Sequence, residues 1–212
     1  MDTERFIRAL ASDARLASPR LPAIFAAALT ASCVIAALVF FSFLGPRPDM
    51  ALAASTPRFL FKFVLTLALA IAAIITAFAA SCPGAPLKRL LPFLAIAPLL
   101  ALAAVAAELV AVPPAGWASR WIGTNADVCL TFIPLIGIGP LAVLLLAMRQ
   151  GAPTRPGMAG ALAGLVAGGI AATFYAAHCT DDSPLFVATW YTLAVAVLTM
   201  IGALAGSRVL RW

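Results

Sequence analysis

Six long apolar runs, separated by short polar or turn-rich segments, occupy most of the 212 residues of this chain. They cover about residues 22–44, 58–80, 90–112, 128–148, 157–177 and 185–206, and a membrane-spanning helix needs about 20 predominantly apolar residues. Hydrophobic residues make up 64% of the chain and charged residues 10%, against roughly 45–50% and about 25% in soluble domains. The pattern predicts an all-α polytopic membrane protein, a bundle of six transmembrane helices with no separate soluble domain.

The basic residues predict how these spans are oriented. With the N-terminus in the cytoplasm, ten lysines and arginines lie inside and four outside; the outer ones are Arg47, Arg58, Lys62 and Arg120. Cytoplasmic loops carry an excess of basic residues, so both termini are predicted to be cytoplasmic. Because these residues lie at span ends, the net charge of +6 indicates the lipid bilayer and not nucleic acid as a partner.

Residues 2–17 are predicted to form a short amphipathic helix ahead of the first span. Phe6, Ile7 and Leu10 recur at helical spacing on one side, and Glu4 can pair with Arg8 four residues later. Two interpretations remain open. The helix could be a juxtamembrane segment whose arginines hold the topology, or a docking helix that lays its apolar side in a partner's groove.

The stretch AAHCTDDSP, at 176–184, concentrates residues that can carry chemistry. It contains the only histidine of the chain, one cysteine and two aspartates: His178, Cys179, Asp181 and Asp182. The predicted topology places this loop on the outer side together with Cys129, at the start of span 4. The two thiols could form a disulfide if their Cα atoms come within about 7 Å. With the histidine and aspartates they could instead bind a thiophilic metal, or they could be unrelated cysteines.

Glu108 is the only acidic residue within a predicted span. An unpaired carboxylate in the membrane is costly, so a basic partner is expected. Lys62 lies at a similar predicted depth on span 2. The sequence therefore predicts a structural Lys62–Glu108 pair, with a proton relay as the less favoured alternative.

Glycines recur at four-residue spacing in the last two spans, at Gly160, Gly164 and Gly168 and again at Gly202 and Gly206. Small residues at this spacing let helix backbones approach closely in lipid. The glycine faces predict either packing within the bundle or a homodimer formed through them.

Soluble-enzyme motifs are absent from the sequence. It has no glycine-rich loop followed by a lysine, no nucleophile elbow and no zinc-protease motif. We therefore expect that the chain is not an enzyme. We also expect no resident cofactor, only a transient heavy-metal ion at the outer cysteines.

Several stretches together resemble one family of six-span bacterial proteins. They are RQGAPTRPGMAGALAGLVAGGIAATFY at 149–175, the HCTDDSPLF that follows, TWY at 189–191 and the terminal LRW, with GPRPD, PRFLFK and the CL at 129–130 earlier in the chain. The family is NrsF, negative regulators of extracytoplasmic-function sigma factors, and the similarity runs nearly end to end.

The resemblance implies a membrane-bound anti-sigma factor. Residues 1–20 would form a cytoplasmic sigma-docking segment, using Phe6, Ile7, Arg8 and Leu10. Residues 21–212 would form a transmembrane sensing domain, in which Cys129, Cys179 and His178 sense oxidant or thiophilic-metal stress from the periplasm. Release of the sigma factor would then change transcription.

Two other functions remain as alternatives. A membrane thiol oxidoreductase would use Cys129 and Cys179, but such enzymes usually need a second cysteine pair. A small metal transporter would use the outer Cys/His/Asp group, but the spans lack the polar residues that form substrate sites near mid-membrane.

Overall fold

The computed structural model describes residues 3–14 and 20–211, with the side chains of residues 3–9 and 21–211. Within these residues the chain is helical, without strands. The α-helices are Thr3–Ala14, Arg20–Phe43, Met50–Ala53, Pro57–Ser81, Leu87–Leu90, Ile96–Ala111, Trp117–Ile122, Ala126–Met148, Pro156–Ala176, Pro184–Phe186 and Thr192–Val209. Short 3-10 turns at Leu91–Ala95 and Pro114–Gly116 and a π-helical segment at Val187–Tyr191 connect some of them.

Six of the helical stretches are long and apolar enough to cross a membrane, and we call them spans 1 to 6. They are Leu21–Phe43, Pro57–Ser81, Leu87–Ala111, Pro114–Met148, Pro156–Ala176 and Pro184–Val209. The fourth stretch contains a short helix, a break at 123–125 and then the long helix Ala126–Met148. The prediction of an all-α bundle with six candidate spans is confirmed.

Prolines and hydroxyl caps fix where several spans begin. Spans 2, 5 and 6 open with proline in the first helical turn, where its missing N–H is not needed and its fixed φ suits the helix. Thr56 caps span 2 by accepting from the Phe59 N–H, and Ser183 caps span 6 by accepting from the Leu185 N–H.

Span 5 is the centre of the bundle. It packs against spans 2, 4 and 6, and 67% of its most apolar stretch is buried, compared with 6% for span 3. A helix that is apolar on every side needs burial on every side, in protein or in lipid. Span 5 obtains that burial from its neighbours, whereas span 3 lies at the periphery.

The glycine faces of spans 5 and 6 pack against each other. A Cβ atom added to Gly160 would collide with the Gly202 carbonyl oxygen, and one added to Gly164 would collide with the Leu198 carbonyl oxygen. These glycines therefore pack within the bundle, which is the first of the two predicted roles. The glycine faces of these two spans cover each other within one chain, and the alternative of a homodimer stays a prediction.

The amphipathic helix is present over Thr3–Ala14. Phe6 and Ile7 are 51% and 56% exposed, and Arg8 pairs with Glu4 at 3.6 Å. The Leu10 side chain and residues 1, 2 and 15–19 of the predicted docking segment lie outside the described part of the chain.

Candidate functional site

Cys129 and Cys179 lie at the same end of the bundle. Both are fully buried and both are free thiols. Cys129 is in the first turn of the helix Ala126–Met148, and Cys179 directly follows span 5, donating its N–H to the Tyr175 carbonyl at 3.0 Å. The site therefore holds two free thiols that are shielded from water.

Two cations from other parts of the chain hold the loop that carries Cys179. The Lys62 ammonium donates to the Cys179 carbonyl oxygen at 2.8 Å and forms an ion pair with Asp182. Arg47 donates to the same carbonyl at 3.3 Å and to the Asp182 carboxylate at 3.0 Å. We call Arg47 and Lys62 the cation clamp. It joins the exit of span 1 and the start of span 2 to the cysteine loop.

The clamp is electrically balanced. Arg47 also binds Asp49 through two hydrogen bonds of 2.7 Å, so two cations meet the two carboxylates of Asp49 and Asp182. Lys62 is fully buried and Arg47 is 8% exposed, and charges removed from water to this degree need partners. The hydrogen bond with Asp49 raises the pKa of the Arg47 guanidinium and lowers the pKa of the Asp49 carboxyl.

Backbone contacts reinforce the same junction. The Arg47 N–H donates to the Ala177 carbonyl at 3.0 Å, and the His178 ring nitrogen Nδ1 lies 3.0 Å from the Gly45 carbonyl oxygen. Gly45 has a φ of +69°, a conformation that favours glycine. This turn lets the chain leave span 1 and pass alongside Ala177 and His178 at the start of the cysteine loop.

Asp181 connects the loop to the helix that carries Cys129. Its carboxylate accepts from the backbone N–H groups of Thr124 and Asn125, both at 2.9 Å, and from the Asn125 side-chain amide at 2.9 Å. A carboxylate at a helix N-terminus satisfies free N–H groups and complements the helix dipole. Both cysteines are thus attached to one hydrogen-bonded frame.

Burial governs the chemistry of Cys179. It raises the pKa of this thiol above its ordinary value, and the nearby Lys62 ammonium offsets the rise only in part. Since the thiolate is the nucleophile and the metal ligand, burial disfavours the reactive form of Cys179. A change in the frame that admits water or a cation would make it more reactive.

The five residues predicted as metal ligands do not form one group. Among the described residues, no three His, Cys, Asp or Glu side chains are arranged to hold a metal ion. Asp182 is engaged by the clamp, Asp181 caps a helix and His178 faces a backbone carbonyl. The prediction of a shared Cys/His/Asp site is wrong in this geometry, because the acidic residues already have structural partners.

The predicted Lys62–Glu108 pair is also wrong. Glu108 is buried and binds two arginines, Arg58 at 2.8 Å and Arg120 at 2.7 Å. Arg58 precedes Lys62 by one helical turn, nearer the same end of the bundle. Counting residues from the span ends matched Glu108 to Lys62 and overlooked Arg58. It also gave no account of Arg120, which comes from the connector.

Sequence reasoning missed Arg47 and two tyrosines. Arg47 stands in the GPRPD connector, where Asp49, two residues later, was a signal that an ion pair was present. Tyr175 and Tyr191 are buried, their ring centroids are 5.6 Å apart, and both lie beside Cys179. Neither hydroxyl has a hydrogen-bond partner among the described residues.

Together, fold and site define a class: small polytopic helical proteins with six candidate membrane spans and a sealed thiol pair held by a buried ion-pair frame. The comparison with known proteins is more specific. The family model described as "Negative regulator of sigma F", NrsF, matches residues 10–212, so the chain belongs to the NrsF family. The resemblance inferred from the loop motifs is confirmed.

Two curated relatives match along their whole length. The anti-sigma-F factor NrsF of Caulobacter vibrioides is 35% identical over 216 residues, and the alignment covers 100% of both chains. The probable anti-sigma-F factor NrsF of Azospira oryzae is 31% identical over 214 residues, also with 100% of both chains covered. No solved structure matches the chain.

Proposed function

We propose that this protein is a membrane-bound anti-sigma factor. It holds an extracytoplasmic-function sigma factor at the bacterial inner membrane and releases it under oxidant or thiophilic-metal stress. The observation that carries the proposal is full-length similarity to relatives named anti-sigma-F factors. A regulator of this kind needs a surface for the sigma factor and a group that responds to stress, and the chain offers a candidate for each.

The first candidate is the N-terminal helix, which supplies the docking surface. Phe6 and Ile7 are apolar and exposed, and Leu10 follows on the same side in the sequence. Burying one such side chain against a partner is worth roughly 1.5–3 kcal/mol, and each 1.4 kcal/mol changes affinity tenfold. The stripe is therefore large enough to contribute substantially to sigma binding.

A binding experiment tests the docking helix. The variant Phe6→Asp, Ile7→Asp should retain at least tenfold less sigma factor in co-purification and should express the sigma regulon constitutively at normal protein levels. Ser12→Asp is the matched control, because helical spacing in the sequence puts residue 12 opposite the Phe6/Ile7 stripe, and it should bind normally. Unchanged repression in the Phe6/Ile7 variant would place the contact elsewhere, for example in the 82–89 or 149–156 loops.

The second candidate is the thiol pair. In the proposed resting state both thiols are reduced and the frame around them is intact. An oxidant takes two electrons and two protons to leave a disulfide, whereas a thiophilic cation displaces the two protons and binds both sulfurs. Either event moves Cys179, whose carbonyl holds the cation clamp, and so disturbs spans 1 and 2 together.

The chain supplies its own control for the thiol test. The variant Cys129→Ser, Cys179→Ser should fail to induce sigma-dependent transcription with oxidant and with cadmium. The variant Cys33→Ser, Cys82→Ser should respond like the parent. Normal induction in the first variant would rule out the cysteine switch while leaving the anti-sigma role intact.

A further inference from the structure

A pocket of about 350 Å³ lies at the end of the bundle opposite the thiols, between the connector of spans 2 and 3 and the start of span 5. We call it the basic pocket. Three cationic side chains and several apolar ones line it, among them Lys88, Arg89, Arg155, Leu87, Leu91 and Met158. Ligand pockets have volumes of about 300–1,000 Å³, so this one can take a small charged group.

The two walls of the basic pocket are joined through their backbones. The Ala152 N–H donates to the Ser81 carbonyl oxygen at 3.1 Å, and a Cβ atom added to Gly151 would collide with the same oxygen. The chain that leaves span 2 and the chain that enters span 5 therefore pass each other in direct contact. This contact holds the wall that carries Arg155 beside the wall that carries Lys88 and Arg89.

Within the described part of the chain, no anion balances these three charges. None of the three side chains forms an ion pair or a side-chain hydrogen bond there. From residue 20 to residue 211, every acidic side chain lies at the thiol end of the bundle; they are Asp49, Glu108, Asp127, Asp181 and Asp182. Three like charges around one pocket repel one another, so the pocket favours an anionic ligand.

The level of the basic pocket in the bundle indicates where that anion comes from. Lys88 and Arg89 are the second and third residues of span 3, and Arg155 directly precedes span 5. Cations at span ends lie at the membrane–water boundary, which is also the level of the phospholipid phosphates. Basic pockets between membrane helices bind the headgroups of anionic lipids.

The surface next to the basic pocket suits acyl chains. Span 3 lies at the periphery of the bundle, and its Phe93, Ile96 and Leu99 are 49%, 43% and 62% exposed. These side chains follow Arg89 along the same span, deeper in the membrane. A phospholipid matches both features, because its phosphate meets the cations and its chains meet the apolar face. A free phosphate ion or an acidic protein segment matches only the cations.

We propose that the basic pocket binds the phosphate headgroup of an anionic phospholipid, whose acyl chains lie along the exposed face of span 3. The bound headgroup neutralises the repulsion among Lys88, Arg89 and Arg155 and links the connector after span 2 to the start of span 5, the central helix. The binding requires neither the sigma factor nor the cysteines. It therefore goes beyond the anti-sigma role, and its failure would leave that role intact.

Native mass spectrometry tests the proposal directly. The full chain in a neutral detergent is mixed with equal amounts of phosphatidylglycerol and phosphatidylcholine that carry the same acyl chains. The parent should retain one phosphatidylglycerol in preference to phosphatidylcholine. Each basic residue near a membrane surface contributes roughly fivefold to the affinity for an anionic lipid. The variant Arg89→Gln, Arg155→Gln should therefore bind phosphatidylglycerol about 25-fold more weakly.

A matched control separates the pocket from general charge attraction. Arg149→Gln, Arg208→Gln removes the same charge at the same end of the bundle, but neither residue lines the basic pocket. This variant should bind phosphatidylglycerol like the parent. Ala85→Trp fills the pocket without changing the charge and should weaken binding. All four arginines are exposed, so both charge variants should melt like the parent in lipid-free detergent.

Four results would overturn the proposal. The first is equal retention of the two lipids by the parent, and the second is an equal loss of binding in the Arg149/Arg208 control. The third is displacement of the lipid by excess inorganic phosphate, which would assign the pocket to a soluble anion. The fourth is loss of sigma factor co-purification in the Arg89/Arg155 variant with lipid binding unchanged, which would assign the pocket to an acidic surface of the sigma factor.

Discussion

At the scale of single residues, Lys62 is the most deeply buried charge of the thiol site. It is fully buried, and its ammonium holds both a carbonyl oxygen of the cysteine loop and the Asp182 carboxylate. A buried cation is stabilising only as long as both partners remain. Its partners are at residues 179 and 182. The interactions of one side chain of span 2 therefore depend on the position of a loop more than 100 residues later in the sequence.

Lys62→Met should lower the free energy of unfolding by about 2–4 kcal/mol, because Asp182 loses one of its two cations and the Cys179 carbonyl loses its shorter hydrogen bond. Lys88→Met, at an exposed position, is the control and should change stability by less than about 0.5 kcal/mol. The measurement is reversible unfolding in mixed micelles.

A double-mutant cycle with Glu108→Gln extends this test. Since Glu108 binds Arg58 and Arg120 instead of Lys62, the coupling free energy between Lys62 and Glu108 should be within about 0.5 kcal/mol of zero. A larger coupling would contradict the separation of these two ion-pair groups.

At the scale of helices, the contact between spans 5 and 6 depends on the absence of side chains. Gly160 faces Gly202 and Gly206 so closely that a single added methyl group meets backbone atoms on the opposite helix. Backbone cannot move aside as a side chain can, so the two spans would have to separate. The same helices carry Tyr175 and Tyr191, and their spacing therefore sets the geometry of the thiol site.

Gly160→Ala should destabilise the protein by about 1–3 kcal/mol through overpacking. Gly157→Ala, one helical turn earlier, meets its nearest atom at 3.8 Å and should be neutral or slightly stabilising, since alanine is the better helix former. Melting temperatures of the two purified variants give the comparison. Equal melting temperatures would show that the spans separate readily and are not tightly packed.

The positions of the helices could be predicted from the sequence much better than the ion-pair partners of the charged side chains. An apolar run of about 20 residues and a proline at its start are local signals that predict a span. Glycines at four-residue spacing are a local signal as well, and they predict close helix packing. The partner of Lys62 depends on which helix ends are adjacent in space. Lys62 and Glu108 look equally deep when counted from span ends, yet Arg58, one turn away, and Arg120, in a connector, reach the carboxylate first.

At the scale of the whole molecule, the topology decides which side the thiol site faces. We propose that both termini are cytoplasmic. This orientation puts ten lysines and arginines on the cytoplasmic side and four on the outer side. Cys129 and Cys179 then lie near the periplasmic surface, beneath a frame made from three connectors. The exposed stripe of the N-terminal helix lies on the opposite side of the membrane.

Reporter fusions test this orientation. Alkaline phosphatase, which is active only in the periplasm, should be inactive when fused after Trp212 and active when inserted within residues 180–183. A cytoplasmic reporter at the same two positions should give the opposite pattern. Phosphatase activity at Trp212 would invert the scheme and place the thiols on the reducing side.

The cation clamp also dictates an order of biosynthesis. The ribosome delivers Arg47 and Lys62 with the first two spans, but the Cys179 carbonyl and Asp182 that satisfy them emerge more than 100 residues later. Until then Lys62 has no acidic partner of its own in this group and must stay near water. The first hairpin therefore cannot bury its lysine with a full set of partners until the last hairpin has been synthesised.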